Sequence, residues 1–168
     1  MKICMHALSV GQFVPMLRNL AEILDKAVAS ATARKFEPAV LATGRLAPDM
    51  LPLTRQVQLA CDFAKNSAAR LAGQDPPKFE DNETTFPELS ARIDKTLAYL
   101  ATLPGSAIDG TEDRDISIPL RERKLEMKGL PFLQRWVLPN FYFHVVTAYD
   151  ILRHNGLEIG KDNFMGEA

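Results

Sequence analysis

The sequence predicts an all-α fold: a bundle of four helices, with one small β-hairpin placed before the last of them. Three observations carry this. Apolar residues recur at alternating steps of three and four in four separate stretches, the spacing of one face of an α-helix. Between Gly110 and Gly129 the period changes to two, the spacing of a strand. The chain has 168 residues, 46% of them hydrophobic, which is enough to close one core over residues 1–168 without a disulfide or a structural metal.

The first helix is predicted over 13–33, with Val10, Phe13, Leu17, Leu20, Leu24, Ala27, Val28 and Ala31 on its stripe. Ser9 and Gln12 have the form of a capping box, but Pro15 lacks a backbone donor, so the regular helix is expected to begin near Phe13. Residues 34–48 read as a connection with a short helical turn at Pro38–Thr43. Asp49 then opens a second helix over 50–72, with Leu53, Val57, Ala60, Ala64, Ala68 and Leu71 inward and Gly73 as the left-handed cap. Arg55, Gln58, Asp62 and Lys65 read as its solvated face, whereas Gln56 falls beside Ala60 and Phe63 at the edge of the buried stripe.

Gln74 to Thr84, with Pro76-Pro77 and several acids, reads as a surface loop. Thr85-Phe86-Pro87-Glu88 is a capping box opening a third helix over 86–102, with Phe86, Leu89, Ile93, Leu97 and Leu100 on one stripe. Alternation at Ile116, Ile118, Leu120 and then Leu125, Met127 predicts the hairpin at 115–128, joined through Arg121–Lys124. Two short strands are marginal alone, so the hairpin needs a surface to lie against. The last helix is predicted over 130–155, kinked or restarted at Pro139 and capped at Asn155-Gly156.

With 20 Lys+Arg against 21 Asp+Glu, the chain lacks the basic footprint of a nucleic-acid binder. No apolar run approaches the ~20 residues of a membrane span, and His6, Ser9 and Gln12 interrupt the weakly signal-like Met1–Leu8. Cys4 and Cys61 form no C-x-x-C pair and fit a reducing, cytoplasmic setting. No nucleophile-elbow, H-E-x-x-H, Walker or dinucleotide fingerprint occurs.

Asn140 and His144 stand four apart on one face of the last helix, the spacing by which bundles build a polar or metal site in their core. The alternative reading is a buried histidine satisfied by hydrogen bonds, with Asn140 capping the helix restarted after Pro139. Gln56 is the candidate third group facing them. His154 suits the helix C-terminus, where the dipole favours a cation, and His6 reads as frayed. Phe132, Trp136, Phe141, Tyr142, Phe143 and Tyr149 exceed what one buried stripe can hold, so some should face a partner subunit or a ligand pocket.

Several strings agree in a resemblance: Arg45-Leu46-Ala47-Pro48-Asp49-Met50, Gln56-Val57-Gln58, Ala69-Arg70-Leu71-Ala72-Gly73, Pro139-Asn140-Phe141-Tyr142-Phe143-His144 and Tyr149-Asp150-Ile151-Leu152-Arg153-His154-Asn155-Gly156. Over nearly its whole length the chain resembles a bacterial and fungal family of unknown function related to the DinB/YfiT-like superfamily, whose members are regarded as metalloenzymes. The resemblance implies an up-up-down-down four-helix bundle, a homodimer, and a divalent-metal site of three histidines that serves thiol transfer in some members. Carried onto this sequence, the three ligand positions are Gln56, Asn140 and His144, so one imidazole is left with two neutral amides, a weak donor set for zinc or nickel. No metal and no cofactor are therefore expected. Three functional classes stay open: a small-molecule-binding or regulatory protein with its pocket at Gln56, Asn140 and His144; a divergent metal-dependent transferase or hydrolase using His144 with acids such as Asp49 or Asp62; and a structural dimer whose polar cluster is a satisfied core network.

Overall fold

In the computed structural model, which describes residues 4–120 and 123–166, each predicted helical stripe lies against the others. Helices α1 (Met5–Leu8), α2 (Val10–Ala33), α3 (Ala39–Ala42), α4 (Leu53–Leu71), α5 (Phe86–Ala101) and α6 (Gly105–Ile108) precede strands β1 (Asp115–Leu120) and β2 (Arg123–Lys128). Then follow α7 (Gly129–Phe132), a π-helical turn at Leu133–Val137, α8 (Leu138–His154) and α9 (Lys161–Met165). Helix α4 lies between α5 and α8, and α2 packs on α5 with further contacts to α4 and α8. Phe13, Leu17, Leu20 and Leu24 of α2 meet Val57, Ala60 and Ala64 of α4, Leu89 and Ile93 of α5, and Phe141 and Ala148 of α8 in one core, all without solvent exposure.

The antiparallel hairpin pairs Ile116 with Met127 and Ile118 with Leu125, which puts these four apolar residues on one face. Residues 121 and 122 of its expected connection lie outside the described residues, as do residues 1–3 of the amino-terminal stretch. Ile116 is buried and Ile118 and Met127 pack on the core, so one face of the hairpin rests on the helices. Gly129, directly after β2, is where strand gives way to helix: a Cβ there would overlap the carbonyl of Thr111.

Four expectations at element ends are corrected. Helical structure begins at Met5, not Phe13; Ser9 makes no side-chain cap, because its Oγ donates 2.6 Å to the Met5 carbonyl. Pro15 removes one donor inside α2, and burial of Phe13, Leu17 and Leu20, at ~1.5–3 kcal/mol each, outweighs that loss. His6 is not frayed: its backbone N–H donates 2.8 Å to the Asp109 carboxylate, beside a fully packed Met5. Helix α4 starts at Leu53, so Asp49 caps nothing; Pro52 is extended and holds Leu51 out of the helical region.

The capping box at Thr85 and Glu88 forms, and three donors from Thr84 and Thr85 hold the Glu88 carboxyl down at about 2. Gly73 and Gly156 take positive φ angles of 73° and 84° directly after α4 and α8, the left-handed positions that a Cβ disfavours. The last helical region restarts at Pro139 as expected: a five-residue π turn ends at Val137, and α8 begins at Leu138 with Pro139 in its first turn, where its missing donor costs no helical bond.

Candidate functional site

Because Leu51 lies outside α4, its carbonyl has no helical donor, and the Gln56 side chain supplies one: Nε2 donates 3.0 Å to the Leu51 oxygen. That fixes the amide with Oε1 facing α8, where His144 Nδ1 stands 2.8 Å away. A carbonyl oxygen only accepts, so the imidazole carries its proton on Nδ1 and leaves Nε2 as a lone-pair acceptor. Among the described residues nothing bonds Nε2, and it is not a sealed atom. Gln56 is 2% exposed and His144 8%, both inside the bundle wall.

Phe63, two turns along α4 from Gln56, stacks on the imidazole at 5.6 Å and 22°, and Phe143 meets its edge at 5.3 Å and 85°. Burial, and secondly the positive charge of Arg55, hold His144 down at about 4 from 6.5. The ring is neutral at neutral pH.

Asn140 is the candidate that the fold does not bring into this pair. Its Nδ2 donates 2.6 Å to the Trp136 carbonyl, one turn back into the π segment. At the positions implied as metal ligands, the Gln56 oxygen thus takes the His144 proton and the Asn140 amide nitrogen is tied to the Trp136 carbonyl, which leaves one imidazole nitrogen as a strong donor. Among the described residues no group of three or more His, Cys, Asp and Glu is placed to hold a metal ion. Asp62 is bonded to Arg92 and Lys65, and Asp49 is exposed on its loop. The residues present do not fit a resident metal.

The face of α4 expected to be solvated is instead covered. Gln58 and Lys65 are 1% and 2% exposed, because residues 75–84 fold over them and tie down on Arg92 of α5. Arg92 reaches Asp62 at 2.9 Å, Asp81 at 3.0 Å and Glu83 at 2.9 Å, while Arg55 holds Asp81 at 2.7 Å and Lys65 holds Asp62 at 3.2 Å. Lys65 and Arg92 also sit over the ring of Phe79.

A family model described as a domain of unknown function, DUF1993, matches residues 5–165. The chain belongs to the DUF1993 family. It is also similar to the crystal structure of a DinB family member protein from Shewanella denitrificans: 44% identity over 97% of this chain and 92% of that one, with a TM-score of 0.92. No curated protein matches the chain.

Sequence reading of this DUF1993 chain missed two site features. Phe63 is legible beside Gln56 at the edge of the stripe, but its stacking on His144 depends on how α8 crosses α4. The second is a cavity of about 220 Å³ between α4, β1 and the π turn, lined by Phe63, Asn66, Arg70, Ile118, Phe132 and Trp136 among others. The surplus of aromatics in the last helical region signalled it; their division did not follow from spacing. Phe132 and Phe141 are core, Trp136, Tyr142 and Tyr149 are half-buried, and Phe143 is exposed.

Proposed function

We propose that this DUF1993 protein is a small-molecule-binding or regulatory protein of the DinB-like set, in which a former metal position has become a neutral hydrogen-bonding anchor. The state of His144 carries the reading: its Nδ1 proton is held by Gln56, its Nε2 lone pair has no partner among the described residues, and phenyl rings stand on two sides of it. A ligand offering an O–H or N–H to Nε2, with an apolar body against the exposed Phe143, matches that arrangement.

The same reading takes the chain as one domain with up-up-down-down helix order, and the long connections 34–52 and 102–128 have the length for the crossings this needs. It takes the protein as a homodimer, supported by Phe143 and Val146, which stand 56% and 38% exposed on one side of α8. The reduced Cys4 and Cys61 suit the cytoplasm, and no helix among the described residues is long and apolar enough to cross a membrane.

Long-range 15N NMR of the His144 ring tests the anchor. Titration with a set of small alcohols, amides and phenols should move Nε2 for at least one of them; no movement throughout the set removes the reading. A divergent metal-dependent transferase or hydrolase is the competing reading, and the same free lone pair is what favours it. Stoichiometric metal in untagged protein would put it first.

A further inference from the structure

The cavity beside Phe63 has a charged rim and an apolar floor. Ile118 and Leu120 of β1 with Phe132, Trp136 and Val137 form the floor, and Asn66 and Arg70 of α4 stand on the rim. Asp62 is also on the rim, but its charge is taken up. Three cations, Arg55, Lys65 and Arg92, meet three carboxylates, Asp62, Asp81 and Glu83, so that cluster balances.

Arg70 is outside that balance. Among the described residues no carboxylate lies within ion-pair distance of it, and its one hydrogen bond runs 3.2 Å from Nη1 to the Asn66 carbonyl. A guanidinium has five donors in a planar fork, so most of its capacity is unused. Half-burial lowers the Arg70 pKa, against the opposing pull of Asp75, which marks a cation partly stripped of water without a close counter-ion. The Asn66 side-chain amide also has no hydrogen bond among the described residues. Arg70 and Asn66 make this the basic side of the cavity, and Lys78 lines the adjoining groove.

We propose that this cavity is a binding site for a small carboxylic acid with an aromatic or branched apolar body, its carboxylate held by Arg70 and Asn66 and its body lying on Trp136, Phe132 and Ile118. Charge complementarity selects an anion, because a planar carboxylate matches the guanidinium fork. Size selects a small one: about 220 Å³ is below the ~300–1,000 Å³ of pockets for drug-sized molecules. The proposal is independent of the His144 anchor, since Phe63 stands between the two and the acid needs no contact with Nε2.

Trp136 is the one tryptophan of the chain and lines the cavity, so its fluorescence reports occupancy directly. Phenylacetate titrated into the full chain should change the emission saturably, phenylacetamide should bind roughly ten- to hundredfold more weakly, and acetate should give no change at the same concentrations. Arg70→Met, which keeps an unbranched helix-forming side chain, should weaken phenylacetate by a similar factor and leave phenylacetamide unaltered. Equal binding of acid and amide by the wild-type protein, or no saturable change up to millimolar phenylacetate, overturns the proposal without recourse to any variant.

Discussion

His144 Nδ1 donates to Gln56 Oε1 at 2.8 Å across 88 residues of sequence, and this is the polar link between α4 and α8 at the candidate site. His144→Ala leaves that oxygen buried without its donor and a void beside Phe63. The expected loss is ~1–3 kcal/mol, a fall of roughly 2–12 °C in melting temperature for a domain of this size. A chelator should leave wild-type melting unchanged, because one imidazole beside two neutral amides is too weak a donor set to hold a divalent metal. Calorimetry with and without EDTA checks both, and a variant that melts like wild type would show that the hydrogen bond carries no stability.

The same histidine gives stability a pH dependence. Its folded value near 4 lies below 6.5, so between these limits the unfolded chain binds a proton that the native state refuses. Its contribution is fully present above pH 6.5 and is lost as pH falls toward 4, by an amount on the order of 1–3 kcal/mol. Denaturant melts from pH 7 to 4 should show this slope in wild type and a shallower one in His144→Ala.

Arg92 holds Asp62 of α4 together with the two carboxylates, Asp81 and Glu83, that residues 75–84 bring over that helix. Arg92→Met should cost ~2–4 kcal/mol, discounted from a fully buried pair because Asp81 and Asp62 keep partial solvent. Arg92→Lys should restore little, since one ammonium cannot span the three acids. Limited proteolysis should find new cleavage between Gln74 and Thr84 in the methionine variant; cleavage as slow as in wild type would mean that the segment is held by Phe79 and Lys65 instead.

At Gly129 the obstacle is backbone, the Thr111 carbonyl, which has no rotamer to yield. Gly129→Ala should destabilise by ~1–3 kcal/mol. Gly110→Ala is the matched comparison, because no atom lies within 4 Å of a Cβ there and only the positive φ of 79° opposes it. Chemical denaturation should rank Gly129→Ala as the more damaging.

If the exposed side of α8 is the dimer face, Phe143→Asp should convert a particle of two chains to one. Sedimentation velocity at micromolar concentration reads this directly, and a wild-type protein that sediments as a single chain would end the dimer proposal.

Local chemistry alone determined the helical stripes, the Thr85–Glu88 capping box, the place of the hairpin, and the caps at Gly73 and Gly156, because each depends on neighbours close in sequence. The inward position of Gln56 was legible for the same reason: one face of one helix is a matter of counting at 100° per residue. Its bond to His144, the turning away of Asn140, the Arg92 cluster and the Arg70 cavity were decided only in the tertiary structure. Those depend on which face of another element arrives opposite, and period reads polarity, not partners. Lys65 and Gln58 show the difference most plainly: their spacing marks a solvated face, and a loop from beyond the end of the helix, anchored by an arginine 30 residues from Asp62, removes the water from it.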